Sequence, residues 1–343
     1  MRPNVISYIL TGLLCCLGGL SKALEIEDRA LFGPEGALQT LRIISTADID
    51  FFEPMIQSYL ARNPNTTIDY VVASSTQLTE AIRKEEERFD IAISSAMDLQ
   101  TKLANDGFAT QHSSAATQDL PDWASWNDML FAFTEEPATI VVSKELFEGQ
   151  DTPKTRRDLI EMIRNAPERF RGRIGTYDVR RSGLGYLFAT QDTRTSDTFW
   201  RLAEVLGAHD VVLYCCSSEM IDAVKSGELL LAYNVLGSYV AGRDDSAVFE
   251  IILPTDYTTI MLRTALIPAN ANAPDLSAAF IDHLITQSFG AEAQPLVDPS
   301  LGQTVNTASL NRIAIGPGLL VYLDQLKRIA FISEWDNAIL QRQ

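Results

Sequence analysis

The chain has 343 residues, 46% of them apolar and 21% charged, with 45 acidic against 28 basic side chains and a formal charge of −17. That length buries a substantial core and exceeds one ordinary α/β domain, so two lobes are expected. The carboxylate excess excludes general nucleic-acid binding and adhesion to anionic membrane, both of which need a basic footprint.

Residues 1–23 read as a Sec-type export signal. Arg2 gives a positive start, YILTGLLCCLGGL (8–20) is an apolar run shorter than the ~20 residues of a spanning helix, and Ser21-Lys22-Ala23 supplies small residues for cleavage. Leu13 and Leu14 stand where a lipoprotein site would need small residues before Cys15 and Cys16, so a soluble periplasmic protein is expected rather than a lipid-anchored one. Cleavage leaves Cys215 and Cys216, side by side in VVLYCC. Strand alternation sends one into a core and the other across the sheet, while an oxidising compartment would also permit a vicinal disulfide.

Residues 24–40 are acidic, broken by Gly and Pro, and read as a loose arm. A rhythm follows: strand 41–45 (LRIIS), helix 49–64 with Phe52, Met55, Ile56, Tyr59 and Leu60 on one face, strand 67–74, helix 76–89, strand 90–94 and helix 97–107. Strand and helix in alternation mean a parallel sheet with crossover helices. The run 129–147 holds two apolar stretches split by Glu135, Glu136 and Pro137, suited to passing between lobes. A second strand-helix rhythm occupies 172–235, return strands fall at 249–256 and 258–269, and helices 278–289 and 319–341 are expected to cover the first lobe. The organisation predicted is α/β and two-lobed, with lobe 1 from 24–137 and 257–343 and lobe 2 inserted as 138–256.

In a parallel sheet, ligands sit at the carboxyl ends of strands, where helices begin with unsatisfied N–H groups and partial positive charge. Those junctions carry Ser45 and Thr46, Ser74 and Ser75, Ser94 and Ser95, Arg180, Arg181, Ser182 and Gly183, and Ser217. Helix capping uses one hydroxyl per helix, and the surplus points to a hydroxyl-lined binding site.

LRIISTADIDFFEPMIQSYLARNPNTTIDYVVASS, FDIAISSAMDLQTKLANDGFA, ATIVVSKELF, GRIGTYDVRRSGLGYLF, SSEMIDAVKSGELLLAYNVLGSYV and TALIPANANAPDLSAAFIDHLI occur in an order that resembles the extracellular solute-binding proteins of ABC transporters, type 2. Within that group the similarity is to the branch with ferric-ion binding and phosphoglycerate-transport regulatory proteins. The resemblance implies the type 2 periplasmic binding protein fold, with a ligand cleft between lobes that closes by a hinge. It implies a monomer without catalysis or cofactor, which hands a small solute to a membrane permease, or alternatively reports occupancy to a membrane histidine kinase.

In DVRRSGLGYLF (178–188), Gly183 and Gly185 permit close backbone approach, Ser182 caps the helix, and Arg180 or Arg181 would complete a clamp for a phosphorylated or carboxylate solute. Asn234, expected to close the strand LLLAYN, could donate to the same anion, and Tyr239 offers a phenol. Ferric iron is the alternative ligand within the resembled branch, but its relatives use adjacent tyrosines, and here Tyr233 and Tyr239 are separated. No resident metal site is expected.

Overall fold

The computed structural model describes residues 24–84, 88–291, 293–297 and 309–341, so the export signal expected at 1–23 lies outside the described residues. The chain opens with β1 (Asp28–Phe32), β2 (Gln39–Ser45), α1 (Ile49–Arg62), β3 (Thr66–Val72), α2 (Ser75–Lys84), β4 (Ile91–Ser94), α3 (Met97–Asn105), β5 (Ala109–Thr110), α4 (Ala115–Gln118), β6 (Ser125–Trp126) and β7 (Leu130–Ala132). It continues through β8 (Glu136–Ser143), α5 (Arg156–Asn165), α6 (Pro167–Phe170), β9 (Ile174–Tyr177), α7 (Gly183–Thr195), α8 (Thr198–Ala208), β10 (Val212–Tyr214), α9 (Ser217–Ser226), β11 (Leu231–Leu236), α10 (Gly237–Ala241) and β12 (Phe249–Ile252). The return consists of β13 (Thr258–Met261), β14 (Thr264–Pro268), α11 (Pro274–Phe289), β15 (Leu310–Arg312), a 3-10 turn (Pro317–Leu323) and α12 (Gln325–Ile339).

Two mixed sheets result. The first runs β1-β3-β2-β4-β14-β7-β6, with β5 on β14, and the second runs β10-β9-β11-β8-β13-β15, with β12 on β8. Strands β2, β3 and β4 are parallel, as are β9, β10 and β11. Their inward residues, such as Leu41, Ile43, Ile68 and Ile91, are fully buried against Phe52, Ile56 and Tyr59 of α1. Each such side chain contributes roughly 1.5–3 kcal/mol by leaving water.

The leader contains a strand, because β1 pairs antiparallel with β3 from Asp28↔Val72 to Phe32↔Ile68. Its alternation is weak because β1 is an edge, largely exposed, with Leu31 70% accessible. The chain crosses between sheets after β7, recrosses between β13 and β14, and returns to β15. Two of these three exchange points lie at 133–135 and 262–263, where boundaries at 137 and 257 were expected. The C-terminal helix differs more: Phe331, Trp335, Ala338 and Ile339 of α12 pack with Phe199, Leu202, Ala203 and Leu206 of α8, on the second sheet's side. Its apolar face fits α8 because Gly207 leaves room, a Cβ there standing 2.3 Å from the Ala338 carbonyl oxygen.

At the crossings, Arg263 and Glu136 are both fully buried and form a two-pronged ion pair, Nε to Oε1 at 2.9 Å and Nη2 to Oε2 at 3.2 Å. Thr134 and Ser238 hydroxyls also donate to Glu136, at 2.8 and 2.5 Å. Both carboxylate oxygens are thus engaged, which offsets part of the cost of burying the pair, while Arg263 Nη1 is buried with no hydrogen-bond partner among the described residues.

Candidate ligand-binding cleft

Between the sheets lies a chamber of about 70 Å³, room for a few waters or a very small solute with the lobes as they stand. Five helices begin at its wall: α1, α2 and α3 from the first sheet, α7 and α9 from the second. Each follows a strand end or tight turn, so partly unsatisfied N–H groups converge on one space.

The hydroxyls at these starts hold one another in place. Thr46 Oγ1 lies 3.4 Å from Ser95 Oγ and accepts from the Ser95 N–H at 3.2 Å. Ser74 accepts from the Gln77 N–H in the first turn of α2, and Ser182 caps α7 by accepting from the Gly185 N–H at 3.1 Å. Ser217 Oγ lies 2.5 Å from the Tyr177 hydroxyl. Across the seam, the Gly183 N–H donates to Ser75 Oγ at 3.0 Å, joining the lobes directly.

The chamber is electrostatically divided. Arg181 lines one side, and among the described residues it has no ion-pair partner. Glu27 and Asp48 line the chamber as well. Burial raises the Asp48 carboxyl, opposed by the Ser218 hydroxyl and the charge of Arg263; burial and the charges of Asp48, Glu219 and Glu25 raise Glu27. Tyr239 stacks on Phe51 with centroids 4.7 Å apart, and Arg263 lies 5.1 Å from the Phe51 ring. Burial drives the Tyr239 and Tyr177 phenols upward, so both act as neutral hydroxyls.

A family model for bacterial extracellular solute-binding proteins matches residues 45–289, well over half of the chain. The chain belongs to this family. Among solved structures, this solute-binding protein is similar to the substrate-binding protein of an ABC transporter from Agrobacterium tumefaciens, at 32% identity over 91% of this chain and 98% of that one, with a TM-score of 0.84. More distant likenesses, of fold alone, are to AfuA of Actinobacillus pleuropneumoniae with fructose-6-phosphate bound (16% identity, 88% and 99% coverage, TM-score 0.70) and to iron-bound HitA of Pseudomonas aeruginosa (16%, 87% and 99%, 0.66). Among curated proteins, none matches the chain significantly by sequence. The two-lobed type 2 binding-protein fold expected from sequence is the fold observed.

In this solute-binding protein, the residues singled out from sequence divide into two groups. Thr46, Ser74, Ser75, Ser95, Arg181, Ser182, Ser217 and Tyr239 line the chamber, and Gly183 forms its seam. Ser45 and Ser94 do not: each is buried beneath the junction and accepts from the N–H two residues on, Ala47 at 3.0 Å and Ala96 at 3.1 Å. Such local bonds use the hydroxyl to hold the turn. Arg180 also turns away, bound to Asp178 at 2.7 Å and to Asp336 at 3.4 Å, with its guanidinium over Trp335.

Asn234 is the fourth correction. It sits inside β11 at a left-handed bulge, φ 63°, and its amide donates to Asp192 at 2.9 Å. Asp192 belongs to a buried network in which Arg156 Nε donates to Tyr233 Oη at 2.7 Å and Tyr233 Oη donates to Asp192 at 2.9 Å. The amide therefore completes a structural network away from the chamber.

Glu27, Asp48, Tyr177 and Ser218 line the chamber without having been singled out from sequence, and the cysteines, for which a vicinal disulfide was one of two expectations, were not placed there. Asp48 and Ser218 adjoin residues already singled out, and Tyr177 ends a recognised strand, so their positions were available; Glu27 was hidden by the unreadable leader. Cys215 and Cys216 are joined to each other and line the chamber. The simple alternation expected for them fails because β10 ends at Tyr214 and Cys216 already caps α9. Among the described residues, Cys215, Cys216 and Glu219 form the one grouping of His, Cys, Asp and Glu compact enough for a metal ion, and its sulfurs are committed to the disulfide.

Proposed function

We propose that the chain binds a small anionic solute carrying at least one hydrogen-bond donor, in an extracytoplasmic compartment, and delivers it to the permease of an ABC transporter by hinged closure of its lobes. The observation that carries the reading is the convergence of five helix starts from both sheets on one hydroxyl-lined chamber with Arg181 at its edge. Helix N-termini and a guanidinium favour a carboxylate or phosphoryl group. Glu27 and Asp48, which share the chamber, favour a solute that also presents hydroxyl or amino donors. Delivery to a permease is supported by the Agrobacterium relative, named as part of an ABC transporter.

The lobes divide at 133–135 and 262–263 in this reading, and these segments form the hinge. Reporting to a membrane histidine kinase would use the same closure and differs only in the partner. A ferric ion is the second reading, favoured by the Tyr177 and Tyr239 phenols beside Asp48 and Glu27. Against it stand the upward-shifted phenols and the engagement of Tyr177 with Ser217. Isothermal titration with hydroxy acids, amino acids, phosphomonoesters and ferric citrate tests the two readings. Heat from an acid, weakened at least tenfold by Arg181→Gln, supports the first; heat from the ferric salt alone, retained in Arg181→Gln, replaces it with the second.

A further inference from the structure

Beyond the Gly183–Ser75 contact lies a second cavity, of about 260 Å³. Both lobes build it: α2 and α3 contribute Arg83 and Lys102, the turn before α7 contributes Arg180 and Arg181, and α12 contributes Arg328. Five cationic groups face two carboxylates, Glu80 and Asp98, on a chain whose formal charge is −17. Such a local reversal of sign needs a cause.

Ion pairing accounts for three of the five. Arg83 and Lys102 share Asp106 at 3.9 and 2.8 Å, and Arg180 is held by Asp178. Arg181 and Arg328 have no ion pair among the described residues, the Arg328 guanidinium lying 4.5 Å from the Tyr186 ring centroid. Asp98 is 2% exposed and spends one oxygen on the Leu99 N–H at 2.9 Å. Burial pushes its carboxyl up to about 7, which leaves it a partial counter-charge near neutrality. With the lobes together, Arg181 and Arg328 therefore stand at one cavity with the Lys102–Asp106 pair, and the remaining carboxylates there are Asp98 and Glu80, the latter already paired with Lys84.

We propose that this cavity is a second binding site, for a compact multivalent oxyanion of the phosphate type, which bridges Lys102 of one lobe to Arg181 and Arg328 of the other and so favours the closed state. The cations converge only when the lobes are together, so the anion binds that state better and shifts the equilibrium toward it. Arg181 lines both cavities and would couple their occupancy. Occupancy of this second cavity requires no particular solute in the hydroxyl chamber, although Arg181 links the two.

The test titrates the purified protein with inorganic phosphate at constant ionic strength, set with chloride, and follows heat and radius of gyration by small-angle X-ray scattering. Arg328→Gln and Lys102→Gln, both at exposed or half-buried positions, should each weaken phosphate binding about tenfold, and the contraction seen with the wild type should disappear in Arg328→Gln. Glycerol 3-phosphate distinguishes free phosphate from the phosphoryl end of a larger solute: in the second case the ester binds more tightly than phosphate and is weakened by Ser217→Ala as well. No phosphate binding by the wild type, or binding undiminished in both variants, overturns the site. Binding without contraction overturns the bridging role.

Discussion

One methyl group at Gly183 should separate folding from function. A Cβ there would stand 2.3 Å from Ser75 Oγ, 3.0 Å from Ser75 Cβ and 3.1 Å from Leu99 Cδ1, all on the opposite lobe. Within its own lobe the change is benign, since Gly183 begins α7 and alanine is the better helix former by up to ~1 kcal/mol. The clash is relieved by parting the lobes. Overpacking costs about 1–3 kcal/mol and the lost Gly183–Ser75 hydrogen bond about 0.5–1.5 kcal/mol, so closure is disfavoured by roughly 2–4 kcal/mol. Apparent affinity falls with the closed population, by ~30-fold at the lower figure. Isothermal titration of Gly183→Ala should show that loss while the unliganded melting temperature stays level or rises. Adding Ser75→Gly removes the two Ser75 atoms, leaving only the flexible Leu99 Cδ1 at 3.1 Å, and should restore part of the affinity. Unchanged affinity in Gly183→Ala, or affinity and melting temperature falling together, would refute the reasoning.

Three further outcomes concern the Arg263–Glu136 pair, Asp98 and the two cysteines. Arg263→Met strands the Glu136 carboxylate and should destabilise the protein by about 3–5 kcal/mol in urea unfolding, with Glu136→Gln in the same chain recovering most of it. Asp98 has its pKa raised from an ordinary 3.8 to about 7, so its contribution to stability is full below pH ~4 and is lost as pH rises through 7. The difference amounts to ~4 kcal/mol at most, and Asp98→Asn should flatten that part of the profile between pH 5 and 8. Alkylation of the denatured, unreduced chain should leave Cys215 and Cys216 unmodified, and prior reduction should let both be alkylated, as read by peptide mass; adducts on both without reductant would contradict the disulfide.

The parallel cores of both lobes were legible because their strands are continuous apolar runs: IIS before α1 and IAIS before α3 are buried residue by residue. The edge strand β1 was not, since DRALF has one covered face and an exposed Leu31. Placement of α12 also failed. An amphipathic helix reveals that it needs a partner, but the partner, α8, lies more than a hundred residues away in sequence. At the junctions, sequence identified which turns meet but not which way each side chain faces. Thr46 and Ser95 reach the chamber while Ser45 and Ser94, one residue earlier in the same turns, hold the backbone from beneath. Arg180 and Arg181 divide because Asp178 captures the first with both oxygens.

In the proposed function, one solute is held by both lobes. The most direct measurement is a thermal-shift panel of small acids, phosphomonoesters and ferric citrate on the wild type, Thr46→Val and Ser217→Ala, one substitution in each lobe. At about 100 times its dissociation constant a ligand adds ~2.7 kcal/mol, enough to move the midpoint by a few degrees. The account expects an acid that shifts the wild type and loses most of that shift in each variant. A shift that survives both substitutions, or that only one of them removes, would contradict it.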